Sequence, residues 1–269
     1  DILGTAENQY PSLTEYIGDP TINIAIMLLI IVGGIGFLTW DDICTNKWHF
    51  KKYRMQSKVI LVTTAILIIA PSVFFFFCDF TGLPLGERIL ASLFQSVTPR
   101  TAGFNTADLS AMTGSSKAIM ILLMLVGGSP GSTAGGMKTT TLAVLVLNAF
   151  SVCRKKGDAE TCGRRIDGSA TRNAATVAVI YFLLFFIGGI IISTAEGLPL
   201  GTCLYETASA VGTVGLTLGI TPQLGILSQL ILIVLMYLGR VGGLTLIYAA
   251  ISNKNQSGAK LPLEKITVG

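Results

Sequence analysis

Three long stretches of the chain contain no charged residue, and they limit the possible folds more than any other feature. Residues 21–40, 59–78 and 173–195 are uncharged over 20, 20 and 23 positions. About 20 apolar residues in a helix span the ~30 Å hydrocarbon core of a bilayer. Charged residues make up only 13% of the 269 positions, against ~25% in a typical soluble domain. The sequence therefore predicts an integral membrane protein, and it excludes a disordered chain, a coiled coil and a disulfide scaffold.

The basic residues indicate how the chain crosses the membrane. We expect five crossings, at 21–40, 59–78, 118–150, 173–194 and 224–251. Fourteen of the 19 Lys and Arg residues then fall in the loops 41–58 and 151–172 and in the tail 252–269. Loops rich in Lys and Arg stay cytoplasmic, so these segments are predicted to lie inside a multi-pass protein of the cell membrane. Because most of the basic residues lie in these loops and in the tail, the net charge of +4 does not indicate a nucleic-acid partner.

Two outer connections, 79–117 and 195–223, contain apolar stretches that are too short to cross. These stretches are 89–97 and 207–219. Apolar segments of about ten residues followed by polar, glycine-rich chain are typical of re-entrant loops. Irregular backbone at membrane depth is tolerated only when it is buried in protein or lines a water-filled cavity. Both connections are therefore candidates for lining a pore.

An internal repeat relates these segments. GLPLG at 82–86 recurs letter for letter at 197–201, TAGF at 101–104 matches TVGL at 213–216, and 121–128 matches 233–240. The last two matches share a spacing of 112 residues, and residues 27–34 carry a third copy of the 121–128 pattern. The repeated unit is a helix, a re-entrant segment and a second helix. The predicted fold is thus an all-α membrane protein of helix–pore helix–helix repeats, with re-entrant filter loops and one broken helix.

The chain after each short re-entrant helix has the composition of a cation filter. Gly adopts conformations closed to other residues, so a Gly-centred strand can turn its carbonyl groups toward an axis. Carbonyl rings replace the hydration shell of potassium in TVGYG loops. We name the two strands the first tip and the second tip and predict that they coordinate potassium through main-chain oxygens near Gly103 and Gly215. The first tip is Thr101, Ala102, Gly103, Phe104 and Asn105, and the second tip is Thr213, Val214, Gly215, Leu216 and Thr217.

Residues 118–152 contain one charge, Lys138, and are too long for a single span. Their centre is rich in Gly and contains Pro130, which disfavours a continuous helix, so two half-helices with a loop between them are predicted. We expect this loop to gate conduction, because a lysine inside a membrane is costly and often functional. The gating loop is Gly128, Ser129, Pro130, Gly131, Ser132, Thr133, Ala134, Gly135, Gly136, Met137 and Lys138.

Arg240, at the repeat position of Gly128, is the second predicted intramembrane charge. It would place a positive barrier below the tips and hold the gating loop. A buried arginine needs partners. Carbonyl groups of the loop, the hydroxyls of Ser129, Ser132 and Thr133, or the carboxylate of Glu206 could serve.

An enzymatic role is not predicted. Residues 127–131 match the G-x-S-x-G elbow of serine hydrolases, but that chemistry needs a base. His49, the only histidine, falls in a predicted cytoplasmic loop. No catalytic residue is therefore assigned.

The motifs together resemble one family. TPRTAGFNT at 98–106, GGSPGSTAGGMKTTT at 127–141 and LGRVGGL at 238–244 are similar to the Trk/Ktr/HKT potassium transporters. The tail 263–269 is most similar to the membrane subunit of Ktr potassium-uptake systems. The resemblance implies four repeats around one pore, each giving one filter strand. By this comparison the chain divides into the end of a second repeat (1–40), a cytoplasmic loop (41–58), a third repeat with the broken helix (59–150), a cytoplasmic loop (151–172), a fourth repeat (173–251) and a cytoplasmic tail (252–269).

The resemblance also implies a function and partners. It implies gated potassium uptake, with potassium coordinated at Gly103 and Gly215, a gating loop at 128–138 and a barrier at Arg240. It implies a homodimer in the bilayer on a cytoplasmic regulatory ring, with nucleotide bound only by that ring. The first repeat and the second filter strand would come from an N-terminal half outside this sequence. Whether sodium activates the transport is a question that the resemblance leaves open.

Rival functions remain at this stage. An alternating-access, sodium-coupled secondary transporter also uses broken helices near the midplane. Two other candidate functions are an intramembrane hydrolase, with Ser129 as the nucleophile, and a non-conducting scaffold.

Overall fold

The computed structural model describes residues 12–47, 49–155 and 158–242, and nearly all of its regular structure is helical. The helices, in chain order, are α1 (Pro20–Ile35), α2 (Phe37–Asn46), α3 (Met55–Cys78), α4 (Leu85–Val97), α5 (Gly114–Leu125), α6 (Thr139–Cys153), α7 (Gly168–Glu196), α8 (Leu200–Gly212) and α9 (Ile226–Val241). Single 3₁₀ turns lie at Thr14–Tyr16, Phe50–Lys52 and Thr221–Gln223. The loop before α7 holds one antiparallel hairpin, β1 (Glu160–Thr161) with β2 (Arg164–Arg165). The predicted all-α membrane fold is confirmed, with this short hairpin as an addition.

The spanning helices agree in part with the predicted crossings. Among the described residues, α3 and α7 are long and apolar enough to cross a membrane by themselves. The pair α1 and α2 also qualifies if the two helices are counted as one span, although they meet at an angle of 99°. The helices α5, α6 and α9 are apolar but shorter. Residues 243–251, the end of the fifth predicted crossing, and the tail 263–269 lie outside the described residues.

The bend between α1 and α2 differs from the single crossing that we expected at 21–40. Asp19 caps the start of α1, because its Oδ1 accepts hydrogen bonds from the amides of Thr21 (2.8 Å) and Ile22 (3.3 Å). The helix ends at Gly36, whose φ of +90° and ψ of +146° belong to a region that is essentially restricted to glycine. A Cβ at Gly36 would lie 2.5 Å from the carbonyl oxygen of Pro130. Hydropathy alone cannot reveal this bend, since the run stays apolar across it.

Small residues bring the helices of the last repeat close together. On α7, a Cβ added to Gly188 would lie 2.8 Å from Leu235 of α9, and one added to Gly189 would lie 2.5 Å from Leu204 of α8. No hydrophobic effect drives helices together within a membrane, so they associate through close packing. Small residues at the contact allow this close approach of the helix backbones. The re-entrant helix α8 therefore packs tightly among α5, α7 and α9.

The apolar side chains divide between a core and an outer surface. Phe75, Met120 and Tyr205 are almost completely buried where α3, α5 and α8 meet. In contrast, Leu29 is 71% exposed and Ile226 is 78% exposed. Lipid tails are as apolar as leucine, so such outward-facing residues suit a helix surface in a bilayer.

Candidate functional site

The first and second tips repeat the same unusual backbone. Thr101 and Thr213 have φ values of +65° and +53°, and Gly103 and Gly215 have φ values of +77° and +94°. Left-handed conformations are uncommon for β-branched residues such as threonine and cost about 1–3 kcal/mol each. The surrounding structure must therefore impose this conformation. In both tips the residue between the threonine and the glycine has a negative φ, so the sign of φ alternates along the two strands in the same way.

The two tips lie side by side. A Cβ added to Gly103 would lie 3.3 Å from the Cα of Gly215 and would overlap the carbonyl oxygen of Val214. A Cβ added to Gly215 would lie 3.9 Å from the Cα of Gly103. Only glycine at 103 therefore permits this approach. The structure brings together the two segments that the repeat pattern predicts as neighbours.

The first tip is held by the turn that precedes it and by a distant segment. The hydroxyl of Thr98 donates to the carbonyl oxygen of Phe104. The amide of Asn105 donates to the hydroxyl of Ser12 (2.8 Å), and the carbonyl oxygen of Asn105 accepts from the amide of Leu13 (2.8 Å). Residues 12–13 therefore pair with the C-terminal end of the first tip.

The second tip is held by the helix that leads into it. The amide of Val214 donates to the carbonyl oxygen of Ser209 (2.9 Å), and the amide of Gly215 donates to the Ser209 hydroxyl (3.1 Å). Ser209 lies on α8 and is 5% exposed. The position of the second tip thus follows directly from the position of α8.

The broken helix forms two half-helices joined by an ordered loop, as the sequence predicts. The ends of the loop are joined to each other, because the amide of Gly127 donates to the carbonyl oxygen of Met137 (2.8 Å) and the amide of Thr139 donates to that of Gly128 (3.1 Å). The hydroxyl of Ser129 is buried and hydrogen-bonds to that of Thr139 at 3.0 Å.

The loop 128–138 also contacts the bend between α1 and α2. The amide of Ser129 donates to the carbonyl oxygen of Gly34 (2.9 Å), and the amide of Phe37 donates to that of Gly131 (3.2 Å). These bonds satisfy main-chain groups that the bend at Gly36 releases from helical pairing. The bend and the loop therefore support each other.

The far side of the loop meets the base of the second tip. A Cβ added to Gly135 would overlap the hydroxyl oxygen of Thr213, and one added to Gly136 would lie 3.4 Å from the Cα of Gly212. The hydroxyl oxygen of Thr213 is buried without a hydrogen-bond partner among the described residues. The glycines of the loop thus allow it to pass in direct contact with the end of α8 and the start of the second tip.

Two cationic side chains bind carbonyl groups of this loop. Arg240 donates from Nη1 to the carbonyl oxygen of Thr133 at 2.6 Å, and Lys138 donates from Nζ to that of Ala134 at 2.6 Å. The amide of Gly136 donates to the carbonyl oxygen of Gly239 (3.2 Å). Of the partners expected for Arg240, the structure shows a carbonyl group of the loop, that of Thr133. The carboxylate of Glu206 instead accepts hydrogen bonds from residues 217–221, and the side chain of Arg240 is exposed rather than buried.

Arg100 is a buried charge whose environment the sequence analysis did not identify. It immediately precedes the first tip, is 4% exposed, and donates from Nη2 to the hydroxyl of Thr64 on α3 at 3.3 Å. The sequence places Arg100 only on the outer side of the membrane, by charge counting. A charged residue between the apolar stretch 89–97 and the first tip is the signal that could have identified it.

Known proteins are similar to this chain over most of its length. The family model described as TrkH, a cation transport protein, matches residues 8–258. The chain is 37% identical to the potassium/sodium uptake protein NtpJ of Enterococcus hirae over 91% of its own length and 57% of that protein. It is 34% identical to the Ktr system potassium uptake protein B of Bacillus subtilis over 96% of its own length and 59% of that protein. Both relatives are named as uptake proteins rather than enzymes.

One solved structure has a similar fold. The potassium transporter TrkH from Vibrio parahaemolyticus matches 90% of this chain with a TM-score of 0.73, at 17% sequence identity. The match covers 54% of the TrkH chain. The present chain therefore spans between 54% and 59% of the length of these similar proteins.

Proposed function

This chain belongs to the TrkH family of cation transport proteins, and from this premise we propose that it supplies two strands of a potassium-selective pore. The observation that carries this proposal is the contact between Gly103 and Gly215. Two tips with the same left-handed positions meet at their central glycines, as strands around one axis would. Main-chain oxygens on these tips replace the water around a potassium ion, so that the ion crosses without a covalent step.

The rest of the filter ring comes from further polypeptide. Two strands give half of a four-fold ring, and residues 12–13 pair with Asn105 at the outer end of the first tip. In this proposal, those residues follow the filter strand of a preceding repeat. The relatives, which extend well beyond the matched region, are consistent with such an arrangement.

Conduction is gated below the filter. The loop 128–138 lies against Thr213 and Gly212 at the base of the second tip, where it obstructs an ion leaving toward the cytoplasm. Arg240 holds the loop through the carbonyl oxygen of Thr133 and adds positive charge to the barrier. Movement of the loop away from the second tip opens the pore.

The partners follow from the same proposal. The bilayer surrounds the exposed apolar faces, and a second copy of the complete subunit forms a homodimer. The basic loops 41–58 and 151–172 contact a cytoplasmic ring that binds nucleotide. Potassium is the transported ion, and sodium is the second candidate, since one relative is named as a potassium/sodium uptake protein.

The test is cation uptake by cells that lack their own potassium uptake and express the complete coding region. We expect uptake of potassium in preference to sodium, and a Gly103→Ser variant that loses this preference by at least about tenfold, because the added Cβ displaces Val214. Gly82→Ser is the matched control, since a Cβ at Gly82 meets no atom within 4 Å.

Two results would contradict the proposal. Unchanged selectivity in Gly103→Ser, with normal amounts in the membrane, would remove the filter assignment. Uptake that saturates at low rates with a fixed ratio of sodium to potassium would favour the alternating-access mechanism instead.

A further inference from the structure

Glu206 carries a buried carboxylate in the middle of the re-entrant helix α8. The residue is 4% exposed. Among the described residues, no lysine or arginine forms an ion pair with it. Burial of a charge is costly unless specific partners stabilise it. The partners of Glu206 therefore indicate what this residue does.

Among the described residues, the carboxylate accepts three hydrogen bonds, which come from the last residue of the second tip and from the chain just after it. Oε1 accepts from the hydroxyl of Thr217 (2.7 Å) and from the amide of Leu218 (2.9 Å), and Oε2 accepts from the hydroxyl of Thr221 (2.8 Å). The hydroxyl of Thr217 in turn accepts from the amide of Gly219 (2.9 Å). The carboxylate thus gathers one short segment, 217–221, onto α8.

Glu206 and Ser209 act on the two ends of the same tip. Residues three positions apart on a helix lie on one face, so both side chains point toward the second tip. Ser209 holds Val214 and Gly215, and Glu206 holds Thr217 and the residues after it. The strand is therefore fixed on both sides of Gly215 by one helix.

Among the described residues, no carboxylate holds the first tip in this way. The residue 112 positions before Glu206 is Phe94, a fully buried apolar side chain. The first tip is instead held by Thr98 and by residues 12–13. The second tip is thus held in place by one carboxylate, whereas the first tip is held in place by Thr98 and by residues 12–13.

We propose that Glu206 is a positioning residue for cation selectivity, which fixes the outer end of the second tip through Thr217, Leu218 and Thr221. The inference rests on the proposed function, because it assumes that this tip coordinates the ion. It assigns the selectivity of the second tip to hydrogen bonds rather than to the negative charge as such.

The variants Glu206→Ala and Glu206→Gln separate these two effects. Alanine removes all three bonds. Glutamine removes the charge but keeps an acceptor oxygen for Thr217 and Leu218, and its amide can donate to the hydroxyl of Thr221. Thr207→Val is the matched control, since Thr207 is the next residue, is fully buried, and donates only to carbonyl groups of its own helix.

The measurement is the ratio of potassium to sodium uptake from the complete coding region, normalised to protein in the membrane. We expect Glu206→Ala to lower the ratio by about tenfold while uptake persists, and Glu206→Gln to recover most of that loss. A purely structural role would lower the amount of protein without changing the ratio.

Three results would overturn the inference. One is an Ala variant with the same ratio as the wild type, and another is a Gln variant that is as impaired as the Ala variant, which would assign the effect to charge. The third is a Thr207→Val variant that loses selectivity as strongly as Glu206→Ala. In each case the wild type still transports potassium, whereas a wild type without potassium uptake would refute the proposed function itself.

Discussion

The side chain of Arg240 on α9 binds the main-chain carbonyl oxygen of Thr133 through Nη1 at 2.6 Å, and so joins the last described helix to the loop of the broken helix. The two residues are 107 positions apart. Among the described residues, a second hydrogen bond joins this helix end to the loop, from the amide of Gly136 to the carbonyl oxygen of Gly239. Removal of the guanidinium therefore tests how firmly the loop is held.

We expect Arg240→Met to raise basal potassium uptake by about tenfold. A hydrogen bond from a charged group contributes about 1.5–3 kcal/mol, and 1.4 kcal/mol shifts a two-state equilibrium tenfold. Arg240→Lys keeps the charge and serves as the control. Uptake is measured as the initial rate of rubidium entry per amount of membrane protein. A Met variant with reduced entry would assign Arg240 to the conducting state rather than to the closed one.

Deletion of residues 132–134 within the loop should also raise basal uptake. The deletion removes the carbonyl group that Arg240 binds and shortens the segment that passes the base of the second tip. The same rubidium assay measures the effect, with selectivity over sodium recorded in parallel. Selectivity should stay close to that of the wild type, because the deletion leaves both tips intact. If the deletion abolished uptake at a normal protein level, the loop would be a structural linker and not a gate.

The bend at Gly36 gives a prediction on stability. Gly36→Ala should destabilise the fold by at least about 2 kcal/mol, because alanine at φ +90° is strained and its Cβ would press against Pro130. Gly34→Ala is the control, since a Cβ at Gly34 meets nothing within 4 Å and alanine favours a helix. Thermal unfolding in detergent, followed by size-exclusion chromatography, compares the two. Equal unfolding temperatures for both variants would argue against a strained bend.

Asp79 joins the end of α3 to the start of α5. Its Oδ1 accepts from the amide of Thr113 (2.9 Å), and its Oδ2 accepts from the hydroxyl of Ser116. Asp79→Ala should cost about 1–3 kcal/mol of stability, since these donors lose a charged acceptor. Asp108→Ala is the matched control, because the side chain of Asp108 accepts hydrogen bonds from its near neighbours Ser110 and Ala111. The same unfolding assay should give a clearly lower temperature for Asp79→Ala than for Asp108→Ala.

Much of the fold could be predicted because its signals are local in sequence. The 112-residue spacing identified both tips, and the glycines around Pro130 identified the break between α5 and α6. The resemblance to the Trk/Ktr/HKT transporters is confirmed by the family match over residues 8–258. The roles of the tips, the loop and Arg240 stay predictions, since they depend on ion flux.

The bend at Gly36 was missed although its signal was present. Gly36 and Gly242 occupy the same position of the repeat, 206 residues apart, and both have φ near +90°. Hydropathy measures whether a residue avoids water, but it does not record the direction of the chain.

The partners of Glu206 could not be predicted from the sequence either, because they depend on how the chain folds in space. Three donors on a neighbouring segment become its partners only when the packing of α8 brings them within reach.

The loop of the broken helix is fixed mainly by main-chain atoms. Gly34, Phe37, Gly127 and Gly239 all bind it through amides or carbonyl groups, and substitution of their side chains leaves those groups in place. Under the proposed gating role, natural variation within the loop has few means of adjusting how readily the pore opens. Related proteins with different opening thresholds should differ instead at the few side chains that bind the loop, of which Arg240 is the clearest.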